Sequence, residues 1–193
     1  MKFTARLLLL LAVAAALPSA ADDARIYFKD NRRVWDIELL GRTAAGTIKL
    51  KRKDQGDSIF EEDLKGIKAI AFKMPFDTDS VRKRYDDGDY EKLITELNEP
   101  LKQYIPFQDV SNNATTFLMI LANSYHFAGK YAEGITLFER LQRNFPKTSQ
   151  EYREILLLKS IALHATNRSD ETAKVLAQLS PPAVNDPTAP LYW

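Results

Sequence analysis

Ala122-Asn-Ser-Tyr125-His-Phe-Ala-Gly129-Lys-Tyr131-Ala-Glu-Gly134-Ile135-Thr-Leu-Phe138, closed by Pro146, reads as a helix, a tight turn, a second helix and a stop. Weaker copies of this phrase lie on both sides. Gly88 and Tyr90 precede Gly129 and Tyr131 by 41 residues, and Ile94 precedes Ile135 by the same step. Leu163, Leu176 and Leu179 follow Tyr125, Phe138 and Leu141 by 38 residues. Periods of this size mark stacked helix pairs, each dependent on its neighbour to bury an apolar face. About three pairs are predicted over 75–180. Pro100 falls in the second helix of the first pair and should kink or end it.

Upstream of Pro75 the period is that of strands. Arg25-Ile-Tyr-Phe28 alternates, Val34-Trp-Asp-Ile-Glu-Leu39 puts Ile37 and Leu39 on one face, and Thr47-Ile-Lys-Leu-Lys51 alternates apolar with basic residues. Ser58-Ile-Phe60 and Ile67-Lys-Ala-Ile-Ala-Phe72 complete the series, and Glu61 to Lys65 reads as one 3₁₀ turn. The breaks at Asp30-Asn31, Ala44-Ala-Gly46 and Gln55-Gly-Asp57 have turn chemistry. Five short strands over 22–73 suggest a small antiparallel barrel, closed or nearly closed. The expected fold class is α+β, a five-stranded β-barrel followed by an α-helical repeat domain.

The ends are read separately. Lys2 and Arg6 precede the apolar run Leu7 to Leu17, and Ser19-Ala20-Ala21 fits a cleavage site before Asp22. Residues 1–21 therefore read as a secretory signal, too short in its apolar part to span a bilayer. The tail 181–193 carries four prolines and ends in Leu191-Tyr192-Trp193. There is no cysteine, which rules out a lipobox, disulfides and thiolate metal sites. The expectation is an exported chain, periplasmic or secreted, soluble, not a lipoprotein, with no transmembrane segment after signal cleavage. Asn113-Ala-Thr115 and Asn167-Arg-Ser169 are formal glycosylation sequons, relevant only to a eukaryotic secretory route.

The central phrase resembles a tetratricopeptide repeat. Leu118, Leu121, Ala122, Tyr125, Gly134, Phe138 and Pro146 stand at that family's large, small, aromatic and Pro positions. Gly134 replaces the usual Ala, at a helix cost of roughly 1 kcal/mol. The segment from Phe138 to Thr148 is similar to the variant found in bacterial envelope assembly and Tol-Pal-associated proteins. Residues 22–73, with Ile-x-Phe-Lys-Asp-x-Arg over 26–32 and Asp-Leu-x-x-Ile-x-x-Ile-x-Phe over 63–72, resemble SH3-like or Sm-like small barrels.

The repeat resemblance implies a concave, partner-binding face on the first helices. It would carry Thr116, Met119, Ile120, Asn123, His126 and Phe127, then Glu154, Leu157, Leu158, Ile161 and His164. The lysines of the family's carboxylate clamp are lacking. A largely apolar face of this kind suits a peptide or an amphipathic helix. It suits equally a cover made from the chain's own tail or from a second subunit in a homo-oligomer.

Readings that need chemistry fall short. No Gly-x-Ser-x-Gly elbow or Gly-rich phosphate loop is present, so no catalytic residue and no cofactor are expected. His126 and His164 are repeat-equivalent, but two ligands make a poor metal site and no metal is expected. Asp86-Asp87-Gly88-Asp89 lacks the Glu an EF-hand needs at its twelfth position; it reads as a turn, with Asp89 capping the next helix. Lys49, Lys51, Arg52 and Lys53 form the one basic cluster in a chain of formal net charge +1, which argues against nucleic acid. The expected function is non-catalytic scaffolding in the bacterial cell envelope, through a protein or peptide partner. The alternatives are a self-assembling module or an envelope glycan-binding accessory protein.

Overall fold

The computed structural model describes residues 22–30, 33–43 and 45–179. The predicted signal, Asn31 of the first predicted turn, and the tail 181–193 lie outside the described residues.

Five strands form where the alternation predicts them: β1 (Asp22–Phe28), β2 (Val34–Arg42), β3 (Ile48–Arg52), β4 (Ile59–Glu62) and β5 (Ile67–Phe72). The 3₁₀ turn is Leu64–Gly66, because Glu61 and Glu62 belong to β4 and pair with β3. A sixth strand, β6 (Ser111–Asn112), comes from the helical region and lies parallel to β5. The order is β4-β3-β2-β1-β5-β6, a mixed open sheet. The expected five-stranded barrel, closed or nearly closed, is corrected to an open sheet: β4 and β6 are its edges, and among the described residues no ladder joins them.

A side chain also ties β2 to the segment that leads into β6. Arg42, at the end of β2, donates through Nη1 and Nη2 to Asp109 at 3.0 and 2.7 Å, and also to the Pro106 carbonyl. Asp109 lies just before β6, three strands away in the order. A bulge between Leu39 and Gly41 lets β2 turn back, and Gly41, at φ +130°, adopts a conformation other residues resist. Ile26, Ile37, Ile48, Leu50 and Ile70 are buried on the inner side of the sheet.

The helices follow as α1 (Thr78–Asp86), α2 (Tyr90–Leu101), α3 (Ala114–Phe127), α4 (Tyr131–Asn144), α5 (Gln150–Ala165) and α6 (Ser169–Leu176). Pro100 stands one residue before the end of α2, which passes into a 3₁₀ segment, Lys102–Phe107. The three hairpins share one turn. Gly88, Gly129 and Asn167 all have positive φ, at 79°, 67° and 60°. In each turn the next amide donates back five residues: Asp89 to Arg84, Lys130 to Tyr125, and Arg168 to Leu163. The left-handed residue itself donates back three, to Tyr85, His126 and His164. This is the Schellman motif, and its recurrence at steps of 41 and 38 residues gives the sequence repeat a backbone counterpart. Asp89 occupies the N-cap position of α2, but its carboxylate binds Lys92 at 2.7 Å instead of capping. Its expected capping role is therefore corrected.

The segment 102–113 carries the helices back to the sheet. Asn113 donates to the Phe72 carbonyl at 2.9 Å and accepts from the Phe72 amide at 2.8 Å, so its side chain extends the ladder. Asn112 accepts from the amides of Ala114 and Thr115 and so caps α3. The Phe72 ring lies 4.7 Å from Tyr104 and 5.7 Å from Phe107. One hydrophobic cluster runs from Ala24 in β1 to Val175 in α6.

Candidate functional site

The first helices α1, α3 and α5 share an outward face. Between them lies a cleft of about 350 Å³, lined by Tyr85, Thr115, Thr116, Met119, Ile120, Asn123, Gln150, Glu151 and Glu154. Thr116, Ile120 and Met119, Asn123 are i,i+4 pairs, so α3 presents them one above the other. Met119 and Ile120 form a floor, each packed partly against the core. Asn123 Nδ2 donates to Glu154 Oε1 at 2.9 Å and to the Met119 carbonyl at 3.1 Å, joining α3 to α5 across the cleft. A second hollow shares Thr115, Thr116 and Glu151 with the first and extends it past Asn112 to Phe145 and Pro146.

Five residues expected on the binding face meet in this cleft: Thr116, Met119, Ile120, Asn123 and Glu154. The others do not. His126 and Phe127 belong to an aromatic row at the turn end of the hairpins. There Phe127 stacks on Tyr90 at 5.0 Å, and His126 lies 5.2 Å from Phe127 and 6.0 Å from Tyr131. Leu157 and Ile161 are half-buried further along α5, Leu158 is buried, and His164 is exposed. Leu176, aligned with the buried Phe138, is 47% exposed because no described helix follows α6 to cover it.

Tyr85, Thr115, Gln150 and Glu151 were missing from the expected face. Tyr85 precedes His126 by the same 41 residues that separate Gly88 from Gly129, so the repeat step could have found it. Glu151 is one turn before Glu154 on the same side of α5. Burial raises the Tyr85 hydroxyl above its ordinary pKa, and Tyr90, Glu154 and Asp86 push in the same direction.

The basic cluster has internal partners. Lys49 lies 3.6 Å from Glu61, its direct neighbour on β4, and Lys51 lies 3.4 Å from Asp57. Arg52 pairs with Asp54 at 2.5 Å and Lys53 with Asp23 at 2.8 Å. Arg52 also lies over the Trp35 ring at 4.3 Å. Among the described residues no three His, Asp or Glu side chains converge as a metal site would require. No helix among them is long and apolar enough to cross a membrane. No protein-family model, curated protein or solved structure matches the chain.

Proposed function

We propose that this chain is a non-catalytic interaction module of the bacterial cell envelope, and that the cleft across α1, α3 and α5 holds a peptide or helix of a partner protein. The observation that carries the reading is the cleft itself: an apolar floor, a polar rim, and three hairpins of one design that set their first helices side by side. Stacked helix pairs build extended surfaces in this way. The tetratricopeptide resemblance implies the same face for binding. The strand order β4-β3-β2-β1-β5 with a long bent β2 supports a small-barrel ancestry for the sheet, which in this reading docks the module to a second component. Export rests on the sequence of residues 1–21. A glycan-binding role has less support, since each member of the basic cluster already faces a carboxylate.

The test places a photo-reactive side chain at Met119 in cells, with a control on the exposed far side at Lys174. One envelope protein captured at Met119, absent from the control and lost with Glu at position 154 changed to Arg, is the expected result. Equal capture at both positions, or capture of the chain's own segments alone, would end the reading.

A further inference from the structure

We infer that the cleft takes a cationic amphipathic segment of another protein, with a lysine or arginine against Glu151 and Glu154 and an adjacent apolar side chain over Met119 and Ile120. This rests on the interaction reading above and adds the chemistry of the partner.

Charge complementarity carries it. No lysine or arginine lines the cleft or the hollow that extends it. Glu151 and Glu154 form no ion pair among the described residues, while the bases of β3 and its turn all do. Spaced i,i+3, the two carboxylates share one side of α5. Glu151 lies in the first turn, where the helix N-terminus favours an acid without any ligand. Glu154 lies beyond that turn and has only the neutral Asn123 amide, which fixes one oxygen and leaves the charge uncompensated. Below them Met119 and Ile120 offer apolar surface. An incoming segment must therefore supply a cation and an apolar group close together.

The same charges decide against the chain's own tail and against a second copy. Residues 180–193 contain no lysine or arginine and carry Asp186, so the tail would bring an acid to an acidic rim. Two copies seated cleft to cleft would set four carboxylates against one another, at a cost in stability.

A phage-displayed random peptide library, selected on the purified full chain, tests this without knowledge of the natural partner. Selected peptides are then measured by fluorescence anisotropy against wild type, Glu151→Gln/Glu154→Gln, and Met119→Glu. Gln at 154 keeps an oxygen for Asn123, and thermal melts confirm that each variant is folded. The expected peptides pair Lys or Arg with an apolar residue, lose about tenfold or more in affinity on the double variant, and weaken as salt rises. A Glu151→Lys/Glu154→Lys chain should select acidic peptides instead. Peptides without basic residues, lost on Met119→Glu and indifferent to the double Gln variant, would overturn the charge inference and leave the cleft as a binding site. Failure to select peptides, or peptides indifferent to every variant, would overturn both. Peptides that bind only after residues 180–193 are deleted would make the tail the occupant.

Discussion

Along β3 and its turn each basic side chain meets a carboxylate, whereas in the helix cleft Glu151 and Glu154 meet no base among the described residues. The two regions also differ in what holds them. The sheet depends on pairings distant in sequence: β1 with β5, and β5 with β6 from beyond α2. The hairpins depend on turns closed within six residues. A surface whose charges are satisfied internally has little left to offer a ligand. The helix face, built on local turns and carrying two carboxylates without a base among the described residues, is where the proposed partner would bind.

The comparison breaks most severely at the junction. Phe72→Ala empties a buried position where β5 meets Tyr104, Phe107 and Asn113, and should cost about 3–5 kcal/mol. In a Trp193→Phe background, Trp35 fluorescence reports the sheet and far-ultraviolet dichroism reports the helices. Both urea transitions should shift together; an unmoved helical transition would show that the two regions are separable.

Gly134 tests the helical side alone. A Cβ there would lie 3.1 Å from both the Phe138 ring and Tyr125 Cβ. Gly134→Val should therefore destabilise by about 1–3 kcal/mol through overpacking. A stability equal to wild type in the thermal midpoint would mean that α3 and α4 can separate to accept it. Asn113→Ala removes two bonds to the Phe72 backbone and should cost about 1–2 kcal/mol. Asn113→Asp keeps the acceptor but sets a carboxylate oxygen against the Phe72 carbonyl, so it should cost at least as much; a urea midpoint equal to wild type for both variants would contradict the assigned bonds.

A smaller effect separates the helices from the sheet by pH. The Tyr85 and Tyr125 hydroxyls are raised above 10.0, chiefly by burial. The folded state thus holds these protons more tightly than the unfolded chain. The contribution is complete below pH 10.0 and is lost as pH rises through the raised values. Tyr85→Phe with Tyr125→Phe should flatten the alkaline loss of stability, and an unchanged alkaline slope would assign it elsewhere. Least of all, Lys49→Gln on the exposed sheet face should change stability by less than about 1 kcal/mol, and by less still in high salt. A larger loss would mean the sheet's surface pairs are structural.

The helical repeat was legible because its information is local. Gly88, Gly129 and Tyr90, Tyr131 keep their steps, and each turn is built from residues that adjoin in sequence. The five strands were legible for the same reason, since alternation assigns their faces. β6 was not: Ser111-Asn112 has no strand pattern, and its pairing depends on where the Lys102–Phe107 segment delivers it. About half of the expected binding face fell into the cleft. Thr116, Met119, Ile120 and Asn123, which the repeat resemblance put on the expected face, lie together along one side of α3. His126 and Phe127 went to the turn end, where Tyr90 and Tyr131 provide ring partners that no single helix reveals.

The sequence by itself determined the change from strand to helix near Pro75, the three hairpins and their turns, and the absence of cysteine chemistry. Periodicity and turn residues act over a few positions and leave their mark in order along the chain. The tertiary structure decided that the sheet stays open while Arg42 reaches Asp109, that Asn113 completes a ladder at Phe72, and that Tyr85 joins Glu151 and Glu154 around one cleft. Those outcomes depend on the packing of elements far apart in sequence, where distance and burial, not local pattern, select the partners.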